Sequence, residues 1–577
     1  LQRLFDALQH QGRVCRVLAT DLTPALLMTT EMLPAWRAVF PLATCQHEPL
    51  IPEKMRQAIE ADAAVQTFVR RRLDVSGPIT AMQLAAQSGI NVKKIDMALL
   101  GLEREGFVFR GRFTHANVAR TDDASLEWCE RRLLQRIHRH TLDAHRESIK
   151  PVSLQAYTLY LFELHELRTQ TIKPKPVPLP SGPEAQALLQ RTMDKLDGMS
   201  APAASWEGDI LPARLSFYDP SWLDLLCVSG RLGWGRFISP TQLTAVRAGS
   251  KRSGGPIKST PITIASRVNM DVWQQLTAPV QTVAPELSAN AACVFDDLKK
   301  RGASFFNDIR QRTGLLPAQL EQALSELVAS GLLTSDGFTG LRALLTPDAR
   351  KPSLRSGALI ANAGSARQRT RRTGYSVEDA GRWSLLYKPE PADLDEQALE
   401  TLVSVYLQRW GVISRQIVAR ESVAPAWRDL LPVLRRQELR GNLRGGRFIE
   451  GLGGEQFTLP ENVAPLREAA KKLSERKAFL ARAGSSEIEK TVSDFNEASY
   501  CSLSAVDPVN NLLLFLPDVK LAKTARNRLL YKDGVPIAVL DNEQVKFLRE
   551  VPDECQWALE QLLRRHEVNP RLRSYLA

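Results

Sequence analysis

The sequence predicts an α+β fold, mainly α with β: tandem winged-helix modules followed by a small β-barrel module at the C-terminal end. Three observations predict it. A pattern of helix, short helix, helix and glycine-bearing hairpin recurs at irregular spacing, which makes an array of domains rather than a solenoid of fixed period. The helical stretches repeat their apolar residues at i, i+4, i+7, and the stretch from Ser502 to Phe547 is strand-rich. The chain has 577 residues, enough for about four domains. Its 44% hydrophobic and 24% charged residues supply several cores and exclude a mainly disordered chain.

Residues 1–51 are read as a lead-in, starting at Leu1 rather than Met, which suggests a fragment or a processed chain. Residues 52–118 are the first winged helix. Ile79 to Ser88 is its second helix, Asn91 to Glu105 its third, Gly106 ends it, and Phe107 to Phe113 is the wing. Residues 119–182 hold two linking helices, Ser125 to His145 and Val152 to Leu167, and the proline-rich linker Thr171 to Pro183. Residues 183–285 are a winged-helix-like module. Asp219-Pro220 caps Ser221 to Ser229, and Leu232 to Phe237 is strand-like.

Residues 286–346 are the sharpest copy. Ala291 to Lys300 and Ala303 to Arg312 are its first two helices. Pro317 opens the third at its first turn, where the missing N–H costs nothing. Leu320, Leu324, Leu327 and Val328 keep the stripe, and Gly331 stops the helix. Leu332 to Thr334 and Leu341 to Leu345 then read as the wing strands, and the third helix as the groove-reading one. Residues 347–391 are a basic linker, with seven Lys/Arg and no Asp/Glu between Arg350 and Tyr375. Residues 392–497 are a winged helix and a following helix: Ala398 to Arg409, Ser414 to Glu421, Trp427 to Glu438, and a glycine-rich wing from Gly441 to Phe457. Residues 498–577 form the barrel module. Its strands are Leu512 to Phe515, Arg528 to Tyr531 and Val535 to Leu540, with Lys532-Asp533-Gly534 as a hairpin turn and a closing helix from Asp553 to His566.

Charge narrows the function. There are 76 Lys+Arg against 64 Asp+Glu, a formal net charge of +12. That favours polyanionic partners, nucleic acid first, against a basic but uninvolved surface. No GxxxxGK[ST] phosphate loop, HExxH or GxSxG occurs, so P-loop ATPase, HExxH zinc-protease and nucleophile-elbow motifs are missing. The seven cysteines are scattered and lack CxxC, so a disulfide framework or zinc site is not expected and a reducing cytoplasm fits best. His138 and His140 are two apart on a helix, on different faces, and read as surface residues rather than metal ligands. No metal is expected, and no apolar run is long enough for a membrane helix.

The wing tips are basic. Arg110 and Arg112 flank Gly111, and Arg444 and Arg447 flank Gly445-Gly446. Glycine lets a backbone approach phosphates and arginine gives forked contacts, while a wing equally needs turn glycines and soluble arginines. Arg367, Arg369, Arg371 and Arg372 make the linker a candidate DNA tether. The ten tryptophans read mainly as packing residues, with base stacking as the alternative. Asp507, in Val506-Asp507-Pro508-Val509-Asn510, reads first as a turn residue capping the backbone. Its functional alternative is a carboxylate that steadies positive charge on a sugar or orients a water, with Asn510 beside it.

Several stretches resemble one family, the large helicase-related proteins (Lhr), a branch of the superfamily-two nucleic-acid helicases. They are Trp128 to Arg139, Leu211 to Arg214, Tyr218 to Leu223, Gly381 to Trp383, Gly445 to Phe448, Gly454 to Phe457, Asp507 to Asn510 and Asn527 to Gly534. The resemblance implies the region C-terminal to an ATPase core in a long bacterial member, with residues 1–51 leading in from that core. It implies a DNA-repair helicase whose ATP and magnesium belong to the core, with no cofactor in this region. It also implies binding to single-stranded or forked DNA, a homo-oligomer, in particular a tetramer, and a bacterial cytoplasmic, nucleoid-associated location. The region further resembles winged-helix DNA glycosylases, which carry Q-x-Q or Q-x-D on a barrel hairpin. Asp507 aligns with the last position of that motif, and Ala505 stands where the glutamine would be. Three functions follow: a DNA-binding and oligomerising region, a uracil-removing glycosylase using Asp507 and Asn510, and a winged-helix transcription regulator.

Overall fold

The computed structural model describes residues 2–18, 26–45, 48–51, 58–114, 126–170, 182–215, 218–237, 257–277, 287–346, 375–386, 394–482, 495, 498–510, 521–564, 570–572 and 576. The chain divides into two compact units, Leu1–Ser148 and Ile149–Ala577.

The first unit opens with a three-stranded antiparallel sheet, in which Val14–Leu18 lies between Leu26–Thr29 and Thr44–Cys45. Its Cys15, Val17, Leu33 and Trp36 share one core with the helices Ala61–Leu73, Ala81–Ser88 and Val92–Arg104. Local chemistry fixes those helices. Thr80 and Gln83 form a reciprocal capping box, Asn91 caps the third helix, and Gly89 ends the second with φ of 72°.

Four modules repeat one connection: helix, short strand, two helices, then two more strands, the last of which is central in the sheet. Glu127–Glu130 lies between Ile79–Thr80 and Val108–Gly111. Pro261–Ser266 lies between Met199–Pro202 and Leu232–Gly235. Arg382–Leu385 lies between Ser304–Phe305 and Leu333–Ser335. Gln456–Thr458 lies between Val412–Ser414 and Arg444–Gly446. Each thus has the order of elements expected of a winged helix, with a sheet of three strands rather than the two of a simple hairpin.

Two sequence expectations are corrected. Ser125 to His145 is not one helix: Glu127–Glu130 is the central strand, and the helix runs Arg131–Glu147. Leu341 to Leu345 is not a strand. It belongs to the buried helix Thr339–Leu345, and the strand it was taken for is Arg382–Leu385, beyond the basic linker. A continuous apolar run is compatible with a buried helix as well as a strand, and here burial on every side selects the helix.

The closing module is an antiparallel meander, Tyr500–Ser504, Arg528–Lys532, Val535–Asp541 and Gln544–Phe547, with the helix Asp553–Arg564 against it. Asp533 and Gly534, with φ of 48° and 80°, make the expected hairpin turn. The expected barrel is not found. Among the described residues the two edge strands do not pair with each other, so the sheet stays open. The expected strand Leu512 to Phe515 lies outside the described residues.

Within the second unit the cores run across modules. The second and third modules share one core, from Leu189 to Trp383. The fourth shares another with the helix Leu154–Leu164 and with Cys501, Leu503 and Tyr531 of the closing sheet.

Candidate nucleic-acid interface and buried carboxylates

The four third helices differ in charge. In the first module Val92–Arg104 exposes Lys93, Lys94 and Arg104. In the fourth, Trp427–Leu439 carries Arg428, Arg435 and Arg436, each of them ion-paired, with Asp429, Glu455 and Glu396. The third helices of the middle two modules, Pro220–Val228 and Pro317–Ala329, contain no Lys or Arg, and the latter carries Glu321 and Glu326. The groove-reading role expected of Pro317–Ala329 therefore has no cation to serve it.

The wing arginines singled out in the sequence belong to the first and fourth modules, while the connections between the last two strands of the middle modules also carry Lys and Arg, mostly outside the described residues. Arg110 is exposed, 3.7 Å from Glu103 and over the Trp128 ring at 5.6 Å. Arg112, Arg444 and Arg447 are exposed and have no ion pair among the described residues. The wing glycines have packing reasons of their own. A Cβ at Gly446 would lie 2.4 Å from Ile149 Cδ1, and one at Gly111 would lie 3.0 Å from the Phe113 ring. Arg367, Arg369, Arg371 and Arg372 lie outside the described residues.

The carboxylates form a different kind of site. Asp507 is 1% exposed. Arg214 grips it with two bonds, Nη1 to Oδ2 at 2.6 Å and Nη2 to Oδ1 at 3.1 Å, and Val509 N–H donates to Oδ1 at 3.0 Å. The last bond is the backbone cap expected of an Asp-Pro turn. Arg214 is itself fully buried and also donates to Ile210 O. Asn510 donates to Ser504 O and accepts from Tyr531 Oη at 2.6 Å. A second pair lies beside it: Arg528 donates to Asp209 at 2.9 Å.

Burial pushes the Asp209 carboxyl up to about 6. It outweighs the opposing Arg528 charge, and the nearby Asp507 charge adds to it. Burial, with Asp507 close by, pushes the Cys501 thiol up to about 12. His165 is buried and held well below its ordinary value, first by burial and then by the charge of Arg214. Two-point pairing fixes Asp507 and Arg214 as a unit, and the pair ties the second module to the closing sheet.

Arg342 and Arg409 do the same elsewhere. Arg342 joins Glu207 at 2.7 Å and Asp224 at 2.5 Å, linking the third module to the second. Arg409 of the fourth module donates to Lys195 O at 3.1 Å and to Asp197 O, and pairs with Glu421. Sequence reasoning missed these arginines as core residues. Arg214 and Arg528 did fall in two of the stretches that resemble Lhr, and the fold brings both to Asp507 and Asp209. Among the described residues no group of three His, Cys, Asp or Glu could hold a metal ion. Among them, too, no helix is long and apolar enough to cross a membrane.

Residues 392–478 and 152–248 match the large helicase-related protein winged-helix domain, as the fourth and third domains of that family. The chain is related to the large helicase-related proteins. It is 28% identical over 418 residues to the Escherichia coli K12 "Lhr helicase/uracil glycosylase", covering 71% of this chain and 25% of that protein. It is 27% identical over 414 residues to the Mycolicibacterium smegmatis "Lhr helicase/ probable uracil glycosylase", covering 69% and 24%. The matched region thus spans about a quarter of these Lhr relatives. The Streptomyces sahachiroi DNA glycosylase AlkZ superposes with a TM-score of 0.36 and 12% identity over 70% of this chain and 94% of its own, too weak a likeness to settle fold or activity.

Proposed function

We propose that the chain is the DNA-binding and assembly region of an Lhr-type DNA-repair helicase, and that its first and fourth winged helices hold the DNA. The observation that carries this is a set of exposed wing arginines. Arg112 on the first wing and Arg444 and Arg447 on the fourth stand exposed without ion pairs among the described residues, and Arg110 is exposed on the same wing as Arg112. The third helices of the two middle modules offer no cation, and their modules are fused through a common core. In this reading the arginines of the first and fourth wings grip phosphates. ATP and magnesium act, in this reading, at a helicase core beyond these residues.

DNA affinity measured against salt tests the proposal. Phosphate contacts require a steep fall of log K with log salt, and a flat line would refute it. The basic tether belongs to the same proposal: replacing Arg367, Arg369, Arg371 and Arg372 by Ala weakens binding uniformly across sequences. Homo-oligomerisation, to a tetramer, belongs to the same proposal and rests on the resemblance to the Lhr proteins. Light scattering checks it, and a clean monomer at micromolar concentration would remove it.

Uracil removal is the second reading, favoured by the names of both Lhr relatives. Asp507 and Asn510 remain its candidates, and access to a flipped base would require the Arg214–Asp507 pair to open. Strand cleavage after alkali on a single-uracil oligonucleotide tests it. Activity in the parent chain but not in a folded Asp507→Asn variant supports the reading, and equal activity in both clears Asp507.

A further inference from the structure

The helix Arg131–Glu147 has 17 residues and buries none of them. Its sequence is nonetheless strongly amphipathic. At 100° per residue, Arg131, Arg132, Arg136, Arg139 and Arg146 fall within an arc of about 140°, which also holds Leu142 and Asp143, while Leu133, Leu134, Ile137 and Ala144 lie on the other side. Among the described residues Arg132, Arg136 and Arg139 have no ion pair. Three like charges on successive turns repel one another, and on this face the helix itself sets only Asp143, four residues after Arg139, against them.

The helix is held firmly at its start. Glu130 caps it, accepting from the Arg132 and Leu133 N–H groups at 2.8 and 2.6 Å. Arg131 N–H donates to Phe107 O at 3.0 Å, at the foot of the first wing. The Arg131 guanidinium lies 5.8 Å from the Phe109 ring, which is 48% exposed on the wing strand. A large aromatic in the open, with arginines beside it, is what a nucleic-acid base stacks on.

We infer that this helix is a binding track for a single strand of DNA: Arg132, Arg136 and Arg139 take consecutive backbone phosphates, and Phe109 stacks a base at the wing end. Arg132 to Arg139 spans about 10 Å of helix, which sets the three guanidinium groups about one turn apart along one face. The inference rests on the DNA-binding reading above and adds a site to it outside the wings.

The test uses the full chain and a fluorescein-labelled oligothymidylate, read by anisotropy across salt, with a duplex in parallel. Arg132→Ala, Arg136→Ala and Arg139→Ala together are expected to weaken single-strand binding roughly tenfold at low salt. They should also reduce the salt slope by about 2, at about 0.7 per phosphate. The three arginines are exposed and alanine favours helix, so the variant folds; an unchanged melting curve checks that. The matching Lys triple variant restores the slope. Phe109→Leu weakens single-strand binding roughly fivefold without changing the slope. If the parent chain binds and the Ala triple variant binds equally with the same slope, the inference is overturned. A larger loss for duplex than for single strand overturns it too. If the parent chain binds no DNA, the broader reading fails first.

Discussion

Arg342 shows what a single side chain holds in this protein. Its guanidinium is fully buried between Glu207 and Asp224, and it also donates to Pro220 O at 3.1 Å. Removing one partner of such a cluster leaves uncompensated buried charge. Arg342→Met should therefore cost about 3–5 kcal/mol in urea unfolding. Asp209 gives a pH test. Its folded value of about 6 lies above the ordinary 3.8, so the native state holds a proton more tightly than the unfolded chain. Its contribution to stability therefore falls as pH rises from about 4 to 6 and is level above. Asp209→Asn mimics the protonated form. Parent and variant should match near pH 4, and the variant should gain on the order of 2–3 kcal/mol relative to the parent by pH 7. Unfolding curves at both pH values check this, and parallel curves would contradict it. At this scale little was legible in the sequence. An arginine reads as a surface residue by composition, and burial of Arg214, Arg342 and Arg409 depends on carboxylates more than a hundred residues away or on a neighbouring module's backbone. Asp507 was visible as a turn residue, but not its arginine.

Among the elements, helices were more legible than strands. Pro317, Gly331 and Asp219-Pro220 act at the positions their chemistry demands. The first strand of each of the four module sheets has only two to four residues, too short for any alternation to show. The central strand of the third module lies beyond a long linker, so no local signal could pair it with Leu333–Ser335. The junction between Gly182–Lys195 and the strand Met199–Pro202 turns at Gly198, with φ of 73°. A Cβ there would lie 1.9 Å from the Trp273 ring. Gly198→Ala should therefore cost about 2–4 kcal/mol, from backbone strain and overpacking together, measured by urea unfolding. Gly12→Ala, also at positive φ but with no atom within 4 Å, should cost only the smaller backbone part.

Over the whole molecule the sequence carried the repeated winged-helix plan and its basic character. Which of the described arginines are available to a ligand came from the structure, because exposure and ion pairing decide it. The central claim is that phosphates are held by the first and fourth modules. The most direct measurement is the salt dependence of DNA affinity for the parent chain and for one variant with Arg110, Arg112, Arg444 and Arg447 changed to Ala. The account predicts a folded variant whose affinity falls at least tenfold at low salt and whose slope is smaller by about 3 on single strands, at about 0.7 per lost phosphate contact. An unchanged affinity and slope in a parent chain that binds DNA would place the phosphates elsewhere and contradict it.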